Sequence, residues 1–150
     1  MMVALLAPQA SFAQAKLKLI TLTADWCANC RVLEPAIARA LETFSADDVD
    51  YVEIDLTRMN ASDDARRGIS AASRVRLSMH RADWIWEKHA ERTGLSFLIA
   101  ADTGEPLACL TSAVPAETIA EQLQLAGRLI ESTEPGRRST GGTDCPSLIG

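Results

Sequence analysis

The feature that most constrains this chain is a pair of cysteines, Cys27 and Cys30, placed directly after the apolar run Leu17–Thr23. That run is rich in leucine, isoleucine and threonine, as a buried strand is. After the cysteines, apolar residues recur with helical spacing, at Val32, Leu33, Ile37, Ala40, Leu41 and Phe44. The sequence therefore predicts a strand over 16–24 and a helix over 27–45, with a C-x-x-C motif on the first turn of that helix.

This placement favours thiol–disulfide exchange. The unpaired N–H groups at a helix N-terminus carry partial positive charge and stabilise a thiolate, which is the reactive form of cysteine. We therefore expect Cys27 to attack a disulfide and Cys30, one helical turn later, to resolve the mixed disulfide. A zinc site is the less favoured alternative, because it needs four ligands and His80 and His89 have no fitting spacing.

The motif also carries a resemblance to a known family. The segment 24–30 (Ala-Asp-Trp-Cys-Ala-Asn-Cys), followed by Pro35, resembles the active-site segment of the thioredoxin superfamily. Its first four residues are most similar to those of periplasmic thioredoxin-like domains, which include the C-terminal domain of transmembrane thiol:disulfide interchange reductases. The resemblance covers Leu17–Leu129 and is strongest up to Leu56. It implies an α/β thioredoxin-like fold, with a central mixed β-sheet flanked by helices.

The resemblance also implies the surroundings of the cysteines. Trp26, before the first cysteine, is expected to cover the disulfide and to help dock a substrate. Members of the family place a cis-proline opposite the motif, and here Ser96 takes that position, after Leu95. A cis bond before a residue other than proline costs about 2.5–4 kcal/mol, so we expect a trans bond. Leu95 and Ser96 are thus expected near the sulfurs, with the Ser96 hydroxyl offered to Cys27.

A second departure from the family concerns proton transfer. Many thioredoxins carry a buried acid in the strand before the motif, and the matching residue here is Thr21. The usual internal proton acceptor is therefore missing. We expect water to take its place.

The rest of the chain predicts a single domain over 16–133. Further strands are expected over 51–56, 94–101 and 107–111, and a last helix over 114–129. Between the second and third strands, residues 58–92 form an insertion relative to the family, for which two helices are predicted. Trp84 and Trp86 are expected to pack this insertion, and His80 and His89 to lie on helix surfaces.

The two ends of the chain differ in composition from the domain. Residues 1–15 hold no charge, and their small residues at 11–15 resemble the end of a secretory signal. They predict a periplasmic or otherwise exported protein, or a cytoplasmic one if they are not a signal. Residues 134–150 are rich in Gly, Ser, Thr and Pro and predict a disordered tail. Cys109 is expected in the core, and Cys145 as an exposed thiol in the tail.

The composition gives no support for a nucleic-acid-binding or membrane-spanning protein. The chain has 15 Lys and Arg against 20 Asp and Glu, a net charge of −5, so no basic footprint for nucleic acid is present. No run approaches the roughly 18 consecutive apolar residues of a membrane span. The sequence predicts a thiol–disulfide oxidoreductase of the protein-disulfide reductase type that needs no cofactor. Its partners would be protein thiols and disulfides, with a membrane disulfide reductase among the candidates. A redox-poor scaffold of the same fold and a metal or iron–sulfur carrier remain alternatives.

Overall fold

Strand β1 (Leu17–Thr23) lies inside the central sheet of the computed structural model, which describes residues 14–140 and 145. The strand order is β2 (Val49–Asp55), β1, β3 (Leu95–Ala100), β4 (Pro106–Leu110). Strand β2 runs parallel to β1, whereas β1–β3 and β3–β4 are antiparallel pairs. This is the mixed sheet that the sequence predicted.

Helices cover both faces of the sheet. Helices α1 (Ala28–Leu41) and α4 (Ala116–Ser132) pack on one face, and α2 (Asp63–Met79) and α3 (Asp83–His89) on the other. Alternate residues of β1 serve the two layers, because side chains alternate across a strand. The thioredoxin-like α/β fold class is therefore confirmed.

The apolar core is divided by the sheet into two clusters. Residues of the first lie between the sheet and α1 and α4, and include Leu17, Leu19, Leu33, Ile37, Leu98, Ile119 and Leu123. Residues of the second lie between the sheet and α2 and α3, and include Ile20, Leu22, Val52, Ile54, Leu77, Ile85, Trp86 and Phe97. The sheet thus buries apolar side chains on both faces.

The predicted helical insertion is present and forms one of the two helical layers. A short 3-10 helix (Thr57–Asn60) follows β2 and leads into α2 and α3. The Ser62 hydroxyl caps α2 by accepting the Ala65 N–H at 3.0 Å, and Asp63 and Asp64 lie in the first turn. The insertion is therefore part of the core.

The aromatic residues of the insertion pack against β3. The Trp84 indole meets the Phe97 ring edge-on at 5.4 Å, and its N–H donates to the Gly104 carbonyl at 3.1 Å. Trp86 is buried, so both tryptophans have the packing role that the sequence predicted. The expectation of a surface His89 is wrong, because its ring is buried 4.9 Å from that of Phe97. The rings of His89 and Phe97 thus pack together between the sheet and α3.

The described part of the tail differs from the predicted disorder. The Arg138 side chain is buried, and its guanidinium donates to both carboxylate oxygens of Asp102, at 2.7 and 2.8 Å. The carboxylate of Glu105 accepts the backbone N–H groups of Gly136 and Arg138 at 3.0 and 2.8 Å. Residues 134–140 are therefore held against the β3–β4 turn. Residues 1–13, which make up most of the predicted signal segment, lie outside the described residues. Residues 141–144 and 146–150 of the tail also lie outside them.

The expectations for Cys109 and Cys145 also need correction. Cys109, on edge strand β4, is disulfide-bonded to Cys145, with 5.1 Å between their Cα atoms. Both residues are half-buried against the core cluster beneath α2 and α3. Neither is a free thiol, because the tail returns to β4 and brings the two sulfurs together.

None of the helices in the described part of the chain is long and apolar enough to cross a membrane.

The second disulfide yields a stability prediction. Cys145→Ser should lower the free energy of unfolding by about 3–4 kcal/mol under oxidising conditions, because the crosslink closes a loop with a sequence separation of 36 and restricts the unfolded chain. Urea unfolding followed by circular dichroism measures this difference. With excess dithiothreitol the two proteins should unfold at the same midpoint. Equal midpoints without reductant would contradict the prediction.

Candidate redox site

The two cysteines lie where β1 ends and α1 begins. Cys27 is the N-cap of α1, and its sulfur accepts the backbone N–H of Cys30 at 3.1 Å. The two residues form a disulfide, with 5.3 Å between their Cα atoms. The first turn of α1 has no acidic side chain to oppose negative charge on the Cys27 sulfur. A helix N-terminus of this kind stabilises a thiolate.

Trp26 is tied to the segment that follows β2. Its indole N–H donates to the Thr57 carbonyl at 2.8 Å, and the Asp25 N–H donates to the Thr57 hydroxyl at 3.0 Å. The Trp26 side chain remains 43% exposed beside the disulfide. It thus offers an apolar surface next to Cys27, the position in which the sequence predicted a docking role.

Gly94, the residue directly before β3, lies against the disulfide. Its N–H donates to the Leu22 carbonyl at 2.9 Å, and its φ of +77° lies in the left-handed region that favours glycine. A Cβ atom at this position would lie 3.4 Å from the Cys27 sulfur and 2.7 Å from Cβ of Asn29. Sequence reasoning missed Gly94 as a site residue, although a glycine directly before a predicted strand was the available signal.

The structure places Ser96 and Leu95 differently from the prediction. Ser96 is fully buried in β3, where its hydroxyl lies 2.7 Å from the Thr21 hydroxyl and 3.5 Å from the Ile20 carbonyl. Its partners are therefore on β1, whereas the prediction gave its hydroxyl to Cys27. Leu95 is buried in the core cluster beneath α2 and α3. In this segment the structure places Gly94, two residues before Ser96, against the Cys27 sulfur.

The peptide bond before Ser96 is trans, as are all the others in the part of the chain that the structure describes. This agrees with the sequence expectation for a residue other than proline.

Cys30 borders a cleft on the other side of the site. Cys30 itself is almost fully buried, and its sulfur lies 3.9 Å from the Leu22 carbonyl oxygen. The cleft has a volume of about 290 Å³ and opens between α1 and β2. Its lining is mostly polar and acidic, and comprises Thr23, Ala24, Asp25, Cys30, Arg31, Glu34, Glu53, Asp55 and Thr57. The two sulfurs therefore have different surroundings, since Cys27 faces Gly94 and Cys30 faces an acidic cleft.

Polar side chains of the sheet lie close to this cleft. The Glu34 carboxylate accepts a hydrogen bond from the Thr23 hydroxyl, and the Tyr51 hydroxyl donates to Glu53 at 3.2 Å. Burial raises the pKa of Tyr51 to about 12, so its hydroxyl stays protonated near neutral pH. The part of the chain that the structure describes holds no group of three or more His, Cys, Asp or Glu side chains arranged to bind a metal ion.

Sequence comparison identifies the same region. The family profile described as Thioredoxin matches residues 8–77, which include both cysteines, β1, α1 and β2. The sequence has no significant match among curated proteins.

Several solved structures resemble the chain at low sequence identity. StoA from Bacillus subtilis is 16% identical, with a TM-score of 0.48, over 73% of this chain and 83% of that one. Trxlp from Edwardsiella tarda EIB202 is 13% identical, with a TM-score of 0.46, over 74% and 84% of the two chains. A thioredoxin-like protein from Parabacteroides distasonis is 19% identical, with a TM-score of 0.45, over 74% and 82%.

Two glycines provide a matched test of the close approach at the disulfide. Gly94→Ala should lower the free energy of unfolding by about 2 kcal/mol, because alanine is strained at positive φ and its Cβ would crowd Asn29. Gly68→Ala, in the middle of α2 with open space around it, should raise it by about 0.5–1 kcal/mol. Urea unfolding of the oxidised proteins measures both. A Gly94→Ala protein as stable as wild type would refute the packing described for Gly94.

The hydrogen bond between the Thr21 and Ser96 hydroxyls predicts that substitutions of the two residues have non-additive effects on the free energy of unfolding. Thr21→Val and Ser96→Ala should each cost about 1–3 kcal/mol, since each breaks the buried hydrogen bond between the two hydroxyls. The double variant should cost less than the sum of the two. A double-mutant cycle by urea unfolding measures the coupling. Strictly additive losses would show that the two hydroxyls do not depend on one another.

Proposed function

Since the chain belongs to the thioredoxin superfamily, we propose that it is a thiol–disulfide oxidoreductase that exchanges disulfides with protein substrates through Cys27 and Cys30. The C-x-x-C pair at disulfide distance on this fold supports redox chemistry in general. The observation that carries the finer proposal is the contact from the Cys30 N–H to the Cys27 sulfur at the start of α1. This donor favours a thiolate on Cys27, which is the species that attacks a disulfide.

The proposed reaction starts from the reduced dithiol. The Cys27 thiolate attacks one sulfur of a substrate disulfide, and the other substrate sulfur leaves as a thiolate. Cys30 then loses its proton and attacks the Cys27 sulfur of the mixed disulfide. The second substrate sulfur leaves, so that the substrate gains two electrons and the Cys27–Cys30 disulfide is formed. The same steps in reverse would oxidise a substrate dithiol.

Position supports different roles for the two cysteines, which are both buried, Cys27 at 5% and Cys30 at 1% exposure. Cys27 lies beside the exposed Trp26 and the backbone of Gly94, where an extended substrate segment can approach. Cys30 lies within α1 and borders the cleft on the other side of the site. We therefore assign attack to Cys27 and resolution to Cys30, and we propose that Trp26 contributes to substrate docking.

The proposal extends to the compartment and the partners. We infer that the protein acts in the periplasm or another exported compartment, and that protein thiols and disulfides are its partners. The features of residues 1–15 support export. The Cys109–Cys145 disulfide supports it too, because structural disulfides persist in oxidising compartments. A membrane disulfide reductase is a suitable source of electrons, and the net charge of −5 gives no reason to expect nucleic acid.

The two alternative functions are tested by different measurements. A redox-poor scaffold is suggested by Thr21, Ser96 and the insertion over 58–92. The two hydroxyls bond to each other and so have a structural role of their own. An insulin-reduction assay tests this alternative. A metal or iron–sulfur carrier would have to bind its cargo through Cys27 and Cys30. Metal analysis of anaerobically purified protein tests that alternative.

Reduction of insulin by dithiothreitol tests the proposed function. The wild-type protein should accelerate it, and Cys27→Ser should abolish the acceleration because the attacking sulfur is lost. Cys30→Ser should accumulate a mixed disulfide on Cys27, visible by mass spectrometry. Cys145→Ser serves as the control and should keep the activity. Acceleration by the Cys27→Ser variant, or none by folded wild-type protein, would refute the proposal.

A further inference from the structure

The C-terminal tail contacts the edge strand β4 at Thr140 and again at Cys145. We propose that the outer edge of β4 is a docking site for an extended segment of a protein substrate. In the oxidised protein the tail occupies this edge, and reduction of the Cys109–Cys145 disulfide opens it. This inference rests on the proposed function, because it names a surface on which a substrate of the C-x-x-C site would bind.

Strand β4 is an edge strand without charge. In the sheet of the described residues it has β3 on one side and no strand on the other. Its residues, Pro106–Leu110, carry no ionisable acid or base. The outer edge of such a strand offers backbone N–H and C=O groups to an extended chain, and proteins protect such edges with charges, proline or a covering segment. Here Pro106 and the tail provide that protection.

The contacts of the tail show what this edge accepts. The Thr140 N–H donates to the Pro106 carbonyl at 3.4 Å, and the Thr140 hydroxyl donates to the Leu107 carbonyl at 2.5 Å. Further along β4, Cys145 is bonded to Cys109, and both side chains pack against the core cluster beneath α2 and α3. A segment of the chain itself therefore binds here through backbone carbonyls and an apolar side chain, as a peptide does in β-strand addition.

The edge of β4 leads to the redox site. Leu110, the last residue of β4, lies opposite Ser96 in the antiparallel pair with β3, and the residue two before Ser96 is Gly94, which lies against Cys27. Just after β4, the Ser112 hydroxyl lies 3.3 Å from the side-chain oxygen of Asn29, inside the C-x-x-C motif. An extended segment on the second half of β4 is thus directed towards the disulfide.

The first part of the tail is held without the help of the second disulfide. The buried Arg138 guanidinium binds the Asp102 carboxylate, and Glu105 accepts two backbone N–H groups of the tail. None of these contacts involves a cysteine. Reduction therefore keeps residues 134–140 in place and releases Cys145 from the second half of β4, which is the half nearer to the motif.

Opening of the edge is a two-electron reduction by a protein dithiol. One thiolate of the reductant attacks the Cys145 sulfur, and the Cys109 sulfur leaves and takes up a proton. The second thiolate of the reductant attacks the mixed disulfide, and the Cys145 sulfur leaves and takes up a proton. The reductant ends as a disulfide. Both cysteines are half-buried, on the edge strand and in the tail, where a reductant can reach them.

This coupling links substrate docking to the state of the redox site. A supply of electrons that reduces Cys27 and Cys30 would also reduce Cys109 and Cys145. The docking edge would then be open when Cys27 is a thiolate ready to attack. In an oxidising compartment without that supply, the disulfide persists and the tail keeps the edge covered.

Binding of a peptide that cannot exchange disulfides tests this docking site. The probe is the insulin B chain, alkylated at its cysteines with iodoacetamide and labelled with fluorescein, and fluorescence anisotropy measures its Kd. Cys109→Ser/Cys145→Ser opens the edge without a reductant and keeps the Cys27–Cys30 disulfide. Cys27→Ser/Cys30→Ser is the matched control, because it removes the other disulfide and leaves the tail bonded. Circular dichroism confirms that each protein is folded.

Without reductant, Cys109→Ser/Cys145→Ser should bind the probe about tenfold more tightly than wild type, which corresponds to one or two added hydrogen bonds. Cys27→Ser/Cys30→Ser should bind it as wild type does. Dithiothreitol should strengthen binding about tenfold in wild type and in Cys27→Ser/Cys30→Ser. It should leave Cys109→Ser/Cys145→Ser unchanged. In the opened protein, the probe should slow hydrogen exchange of backbone amides in β4.

Three results would overturn the docking site. The first is equal affinity of wild type and Cys109→Ser/Cys145→Ser for the probe without reductant. The second is protection from hydrogen exchange at another surface and not in β4. The third is a dimer of Cys109→Ser/Cys145→Ser that excludes the probe, which would assign the edge to a second copy of the chain. The proposed function fails on a separate result, namely that folded wild-type protein does not accelerate insulin reduction.

Discussion

The pairing of β1 on both sides is the constraint on which the rest of the structure depends. β1 is hydrogen-bonded in parallel to β2 and in antiparallel to β3, so its C-terminal end is fixed relative to both neighbours. The turn that follows can then deliver Cys27 as the N-cap of α1. The same pairing continues into the bond from Gly94 to Leu22, which holds the backbone of the β3 segment beside the disulfide. The geometry of the site is thus set by sheet register.

Polarity changes along the face of the sheet that packs against α1. At one end of β1 that face is apolar, with Leu17 and Leu19 in the core. Towards the cysteines it carries Thr21, paired with Ser96, and then Thr23, which contacts Glu34. Buried polar groups need partners, and no buried side-chain nitrogen or oxygen among the described residues lacks one. The fold therefore places polar side chains near Cys30, and among the described residues each buried side-chain nitrogen or oxygen still has a hydrogen-bond partner.

Sequence patterns predicted the parts of this structure that depend on local order. The strand, the C-x-x-C motif, the helix and the helical insertion follow from apolar periodicity and spacing. The position of β3 relative to the cysteines was harder to predict, because a shift of two residues keeps every side chain on the same face of the strand, so the apolar pattern around Ser96 does not reveal it. The contacts of the tail could not be predicted from the sequence for a different reason. Arg138 and Cys145 find partners distant in sequence, and a composition rich in Gly, Ser, Thr and Pro carries no trace of them.

The β3–β4 turn, residues 102–105, connects two segments that are far apart in the sequence. From the insertion, the Arg81 guanidinium and the Trp84 indole donate to its carbonyl oxygens, and the backbone of Arg81 lies so close that position 104 must be glycine. From the tail, Arg138 binds its first carboxylate. The consequence is evolutionary: a change in this turn has to satisfy both segments at once. The insertion and the tail are therefore expected to vary together among related chains, because both contact this turn.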